Sequence, residues 1–462
     1  MRSVFGSAAM VFGGAALGLA CGTSGSGAPG KGAQDSGADT SRSTRNRDSS
    51  APPPPEGGAI PPVDAGSSDG SSSNGDASTA CSGSVHSTSA PATGLPQAPA
   101  ITVPTGFALE VIASVPSARE LAALPNGDLL VATNGNSVYL VPNAEGAPGA
   151  AVVFATPPET PAQGIVFVPS SCAIYLGSQH SIYAMSYVDG QQTGTIGAAV
   201  ASVRTGSISP NRPAGDTDNH TSTSVGFAGG TVYAGVGSSC NACVETDPTR
   251  ASIQALGAGG ATTTRATRMR NPIALATNPA TGTLWAGGAG QDDLAQGHPY
   301  EYFDAVSLHS GVADYGWPVC EEDHVAYGDA GCGSTVVPLI ELPAYSTIIG
   351  ATFYPSKGAG TYAFPAMYRG GLFLTAHGSW HQLDDKYAAA PLVAYVPMQG
   401  DAPQTPVNWS DPTAQWSMFV GGFQLADGVT RIGKPTGIAV GAQGSLFVAD
   451  DVNGMVYRIR PM

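Results

Sequence analysis

Apolar positions in this chain come in short paired runs separated by turn residues. The clearest pair lies at the C-terminal end, GAQGSLFVADDVNGMVYRIR, from Gly441 to Arg460. A turn at Ala442-Gln443-Gly444 leads into one apolar run, Ser445 to Ala449, and Asn453-Gly454 leads into a second, Met455 to Arg460. Alternating or clustered apolar residues on either side of an Asn-Gly pair predict a β-hairpin. The pattern recurs five times upstream. LPNGDLLVATNGNSVYLV begins at Leu124, VPSSCAIYLGSQHSIYAM at Val168 and FAGGTVYAGVGS at Phe227; NPATGTLWAGGAG follows at Asn278 and YRGGLFLTAHGSW at Tyr368. Aligned on Leu129, Ile174, Val232, Leu284, Leu372 and Leu446, the copies stand 45 to 88 residues apart. A hairpin unit repeated at such intervals marks propeller blades, so six copies predict an all-β, six-bladed β-propeller with its function on the loops that crown it. No helical period of useful length appears, and no apolar run long enough to span a bilayer.

The first part of the chain does not share this pattern. Residues 1–20 carry an early Arg2, an apolar Gly/Ala-rich run and small residues before Cys21, the layout of a secretory signal peptide. LGLAC resembles a bacterial lipobox, which makes Cys21 the expected lipid attachment point and the only expected tie to a membrane. Residues 21–98 are Ser, Gly, Pro, Asp and Ala, with too few aliphatic or aromatic side chains for a core, and are expected to form a disordered tether. Residues 99–462 are the expected propeller domain, exported to the periplasm or cell surface. A net charge of −15 with only 11% ionisable residues argues against nucleic acid as a partner. Cations are scarce: beyond the tether the only lysines are Lys357, Lys386 and Lys434.

Six cysteines besides Cys21, in an exported chain, point to disulfides. Cys240 with Cys243 (CNAC) and Cys320 with Cys332 are the expected pairs; Cys81 and Cys172 remain as a third. Val244 stands where covalent haem attachment requires His, and zinc or redox roles for CNAC lack supporting context.

Candidate chemistry concentrates where strands begin. Arg119 and Glu120 read as a surface ion pair, and Gln163 precedes a strand of the second blade. His220 ends the polar loop Gly206–Thr223, beside Asp216 and Asp218, either of which is placed to orient its ring as a general base. Arg265, Arg268 and Arg270 lie within six residues of one another. In extended chain Arg268 and Arg270 face the same way, and with Asn271 they make an anion-binding set.

The ordered series of His220, VGSSCNACVE (Val236 to Glu245), RNP (Arg270 to Pro272), TGTLWAGGAGQDDL, PYEYF, YGWPVC, AHGSW and GSLFVADD resembles the soluble pyrroloquinoline quinone (PQQ) sugar dehydrogenases, above all the L-sorbosone and pyranose dehydrogenase branch. That family is a six-bladed propeller. The resemblance implies His220 as catalytic base and Arg270 and Asn271 as cofactor ligands, with Arg270 also stabilising charge on the quinone oxygen; Gln163, at a strand start whose side chains reach the funnel, is a further candidate cofactor ligand. It further implies Ca²⁺ held through main-chain carbonyls at Gly290 and Gln291, with Asp292 and Asp293 nearby. Two positions depart from the glucose-dehydrogenase branch. RIGKPTG leaves Lys434, with Arg431 nearby, where arginines are usual, and His377 occupies the neighbourhood of a family lysine. The implied activity is oxidation of an aldose or sugar aldehyde by hydride transfer to PQQ, with an external electron acceptor. Two other readings fit a propeller: a metal-dependent lactonase-like hydrolase, and a non-catalytic surface binding module.

Overall fold

The computed structural model describes Cys81 and residues 85–206, 209–211, 218–295, 297–358, 360–379 and 389–462. The expected signal peptide, Cys21 and the tether up to residue 80 lie outside the described residues, as do Asp216 and Lys386.

The described strands build six antiparallel blades. Strand β1 (Phe107–Ser114) belongs to the last of them, described below. The first blade is β2 (Ala118–Ala123), β3 (Leu129–Thr133), β4 (Val138–Val141) and β5 (Val152–Ala155). The second is β6 (Gly164–Val168), β7 (Ala173–Gly177), β8 (Ser181–Ser186) and β9 (Ala199–Ser202). The third is β10 (Thr223–Ala228), β11 (Thr231–Val236), β12 (Ser252–Leu256) and β13 (Thr262–Thr267), extended by a short parallel strand, β17 (Ala313–Asp314). The fourth is β14 (Asn271–Thr277), β15 (Leu284–Ala289), β16 (Glu301–Asp304) and β18 (Ile340–Leu342). The fifth is β19 (Ile348–Phe353), β20 (Leu372–Ala376), β21 (Leu392–Val396) and β24 (Ser417–Val420), with the ribbon β22 (Met398–Gln399) and β23 (Ala402–Pro403) inserted. The sixth is β25 (Pro435–Val440), β26 (Leu446–Asp450) and β27 (Met455–Pro461), completed by β1. Pairing Phe107 with Pro461 and Ser114 with Met455 closes the ring.

The six residues on which the sequence repeats align, Leu129 to Leu446, each fall in the second strand of a different blade. These strands read as continuous apolar runs because each blade is covered on both faces. In β26, Leu446 and Val448 enter the core shared with the fifth blade, while Phe447 and Ala449 enter the core shared with the first. Period two persists, but both faces are apolar. One such cluster fills each of the six seams between blades. The outer edge opens to solvent, as in the mostly exposed β9.

All three expected disulfides are present. Cys81–Cys172 moves the domain boundary. Residues 85–98, assigned to the tether by composition, lie against the first two blades. Ser87 is buried with its N–H on Asp128, and Ala92 donates to the carbonyl of Pro148. A polar segment joins a propeller here through backbone hydrogen bonds and a cross-link, which composition does not register. Cys320–Cys332 staples the excursion between β17 and β18.

Candidate active site

The innermost strands β2, β6, β10, β14, β19 and β25 follow one another around the ring, each packed on the next. Equivalent blades bring their leading ends to one face, and polar residues collect there. In β2, β14, β19 and β25 the register to the second strand shifts within the first few residues. Such irregularities re-aim side chains at the rim of a sheet.

His220 stands three residues before β10 with φ of 50°, in the left-handed region. The end of β11 supports it. Nδ1 lies 3.1 Å from the Ser238 carbonyl oxygen and 3.0 Å from Ser238 Oγ, while that hydroxyl donates to the Cys240 carbonyl. Both neighbours of Nδ1 therefore accept, so Nδ1 carries the proton and Nε2 keeps its lone pair. Burial holds the imidazole well below its ordinary pKa, and the positive charges of Arg270, Arg204 and Arg250 add to this. The ring is neutral at neutral pH, the state a base requires. Gly237 makes room for the arrangement: a Cβ there would stand 2.5 Å from Asn271 Oδ1 and would collide with the His220 side chain. His220 and Asn271 thus flank a single glycine.

Asp218 does not orient the ring. Its carboxylate forms a two-pronged pair with Arg250, at 2.7 and 3.1 Å. A buried guanidinium requires such a partner, whereas a neutral imidazole is served by a carbonyl.

Arg270 is buried, at 6% exposure, and its guanidinium is held on three sides. Nε donates to the Asn241 carbonyl at 3.1 Å, Nη1 to the Gly290 carbonyl at 2.5 Å and Nη2 to Asp292 Oδ2 at 2.8 Å. Arg268 is elsewhere. Its φ of 55° breaks the extended alternation, and it pairs with the half-exposed Asp314 at 2.6 and 2.7 Å. Arg265 sits in β13, in the outer part of its blade.

Gln163 is buried at the head of β6, and its Nε2 has no hydrogen-bond partner. Lys434 is buried at the head of β25, where burial and then Arg431 lower its pKa. His377 places Nε2 3.1 and 3.2 Å from the carboxylate oxygens of Asp451. Asp451 also receives Arg119 at 2.8 Å, so Arg119 is bound across blades and not to Glu120. Burial pushes the Glu120 carboxyl up to about 8. Gly290 and Gln291 follow β15. The Gly290 N–H donates to Glu301 Oε2 at 2.6 Å, and burial pushes Glu301 up to about 8. Gln291 Oε1 is buried without a partner.

Of the residues the sequence singles out, the structure joins His220, Arg270, Asn271 and Gly290 in one connected set, with His377 and Lys434 in a second, around Asp451. Ser238, Gly237, Asn241, Arg204, Arg250, Glu301 and Asp451, which hold or frame these side chains, were not singled out by sequence. Asn241 and Glu301 lie inside the motifs CNAC and PYEYF, but spacing alone gives no sign of their contacts. Among the described residues of the ring, three buried donors, Arg119 Nε, Gln163 Nε2 and Arg431 Nη1, lack partners, against two acceptors, Glu120 Oε1 and Gln291 Oε1. That surplus suits an acceptor-rich, polyanionic group such as a tricarboxylated quinone, and Gln291 Oε1 with the second lone pair of the Gly290 carbonyl suits a hard cation.

No protein-family model matches the chain. A curated protein from Borreliella burgdorferi, itself uncharacterized, is 25% identical over 197 residues, 41% of this chain and 47% of that protein; the chain spans about half the length of this relative. Solved structures share the propeller over most of the chain. The PQQ domain of pyranose dehydrogenase from Coprinopsis cinerea, in its holo form, superposes with a TM-score of 0.63 at 19% identity, covering 80% of this chain and all of the other. A calcium structure of a carbohydrate-active enzyme of family AA12 from Trichoderma reesei gives 0.61 at 16% identity, over 80% and 99%. The PQQ-bound aldose sugar dehydrogenase from Streptomyces coelicolor gives 0.50 at 18% identity, over 78% and 99%.

Proposed function

We propose that this propeller is an exported, PQQ- and Ca²⁺-dependent dehydrogenase that oxidises an aldose or sugar aldehyde and passes electrons to an external acceptor. The observation that carries the reading is His220, whose proton is fixed on Nδ1 by Ser238 while Nε2 remains a lone-pair base beside the buried Arg270. PQQ, when bound, supplies a two-electron, hydride-accepting centre. The residues around it hold and prepare the reactants. Arg270, Asn271, Gln163 and Lys434 would carry the cofactor's carboxylates and carbonyls, with His377 flanking them. Gly290 and Gln291 would give oxygen ligands to Ca²⁺. Nε2 of His220 takes the proton of the sugar hydroxyl, and the guanidinium charges nearby favour the negative charge that develops on the hydroxyl oxygen. Three disulfides fit an oxidising compartment; attachment through Cys21 extends this reading.

Adding PQQ and Ca²⁺ to the protein should shift the quinone absorption band, and an aldose should then bleach it. Arg270→Ala should weaken PQQ binding tenfold or more, since a charge-assisted contact contributes roughly 1.5–3 kcal/mol. A wild-type protein that neither binds PQQ nor bleaches with any aldose would overturn the proposal.

A further inference from the structure

Cys240 and Cys243 close a four-residue ring directly after Ser238 and Ser239. Asn241 inside that ring is a hub. Its carbonyl accepts Arg270 Nε and, at 3.1 Å, the indole N–H of Trp317. Its side-chain amide pairs reciprocally with the backbone of Asp292, Nδ2 to the carbonyl at 3.1 Å and Oδ1 from the N–H at 2.9 Å. Asp292 in turn binds Arg270. The Cys240 carbonyl accepts the hydroxyl of Ser238, the residue that holds His220. The disulfide itself packs with Ala251 and Trp317 in a small buried cluster. One short loop therefore carries the supports of both His220 and Arg270.

We infer that the Cys240–Cys243 ring, through Asn241, is the positioning element that sets His220 and Arg270 in register with each other, rather than a staple for the fold. A ring this short removes little chain entropy on cross-linking, while Cys81–Cys172, separated by 91 residues, removes much more. The two disulfides should therefore separate stability from site geometry. The inference rests on the dehydrogenase reading only for its binding arm.

The test compares the full chain with two double variants, C240A/C243A and C81A/C172A. NMR titration of the His220 ring in the absence of cofactor reads the pocket made by burial, Arg270, Arg204 and the Arg250–Asp218 pair. C240A/C243A should raise the His220 midpoint toward the ordinary imidazole value of about 6.5 and weaken PQQ binding at least tenfold. C81A/C172A should lower thermal stability more, yet leave both readouts at wild-type values. A folded C240A/C243A protein with unchanged midpoint and PQQ affinity overturns the inference. Should that variant not fold, Asn241→Ala keeps the disulfide, and the Arg270 Nε–H should then exchange with solvent at least tenfold faster; an unchanged rate overturns the inference. A wild type that does not bind PQQ sinks the functional proposal, while the titration still decides this one.

Discussion

His220 owes the role proposed for it to its surroundings. Two acceptors at Nδ1 choose the tautomer, and burial with three guanidiniums keeps the ring neutral. His220→Asn should leave cofactor binding near wild type and lower turnover per bound PQQ by about 10²–10⁴-fold, the usual range for a general base. The depressed pKa moves the acid limb of the rate profile below the unperturbed value of about 6.5, and the limb should vanish in the variant. Turnover measured per reconstituted site from pH 4 upward checks both. An acid limb centred at or above 6.5 would contradict the environment described. Arg268 carries the opposite lesson. It stands two residues from Arg270, with the same side-chain chemistry, and a single positive φ sends it to Asp314 on the rim.

At the scale of elements, the closing strand decides whether a ring forms. Strand β1 supplies the fourth strand of a blade whose other three come from the far end of the chain. Glu110 fixes it by ion pairs to Arg458 and Arg460, at 2.8 and 2.7 Å. Phe107 inserts among Phe364, Tyr368 and Phe419, with ring centroids 4.7, 5.5 and 5.3 Å away. Phe107→Ala should destabilise the protein by about 3–5 kcal/mol, the range for truncating a buried Phe, with little change in the His220 midpoint. Chemical unfolding alongside the NMR titration measures both; a loss under 1 kcal/mol would mean that β1 is not needed to close the ring. The leading ends of the inner strands behave differently. Where the register shifts, in β2, β14 and β25, pairing regularity gives way and polar groups turn toward the funnel, and site residues cluster just before or within the first residues of these strands.

Across the whole molecule, buried carboxyls set the response to pH. Burial raises Glu120, Glu301 and Glu322 to about 8 and Glu341 to about 7. Each holds its proton more tightly folded than unfolded, so its contribution is complete below about 4.5 and is lost as pH rises through its folded value. His309, raised by its hydrogen bond to Asp304, acts in the same direction. The depressed His220 and His377 act oppositely, losing stability as pH falls below about 6.5, and are silent above it. Between pH 6.5 and 8.5 the four carboxyls outweigh the opposing Arg204, lowered to about 9, and Lys434, also lowered, and in metal-free buffer the melting temperature should fall. Glu322→Gln should flatten that fall. A melting temperature that rises across this window would show that these carboxyls are ionised in the folded protein.

Sequence by itself determined the architecture. Six hairpin units, each with a run apolar on both faces and turn residues between, can bury themselves only by packing against like neighbours, and local pattern is enough to count them. It also marked His220, Arg270, Asn271 and Lys434, because scarce side chains before strands stand out in a chain so poor in charge. Tertiary structure decided everything that depends on which residues meet across blades. Asp218 lies two positions from His220 yet serves Arg250, while Ser238, eighteen positions away, holds the ring. Arg119 finds Asp451 over 332 positions, Cys81 bonds Cys172, and residues 85–98 join the domain through Asp128. The reason is geometric: a hairpin is written in neighbouring residues, whereas a funnel is assembled from the ends of six strands far apart in the chain, and their partners are chosen only when the ring closes.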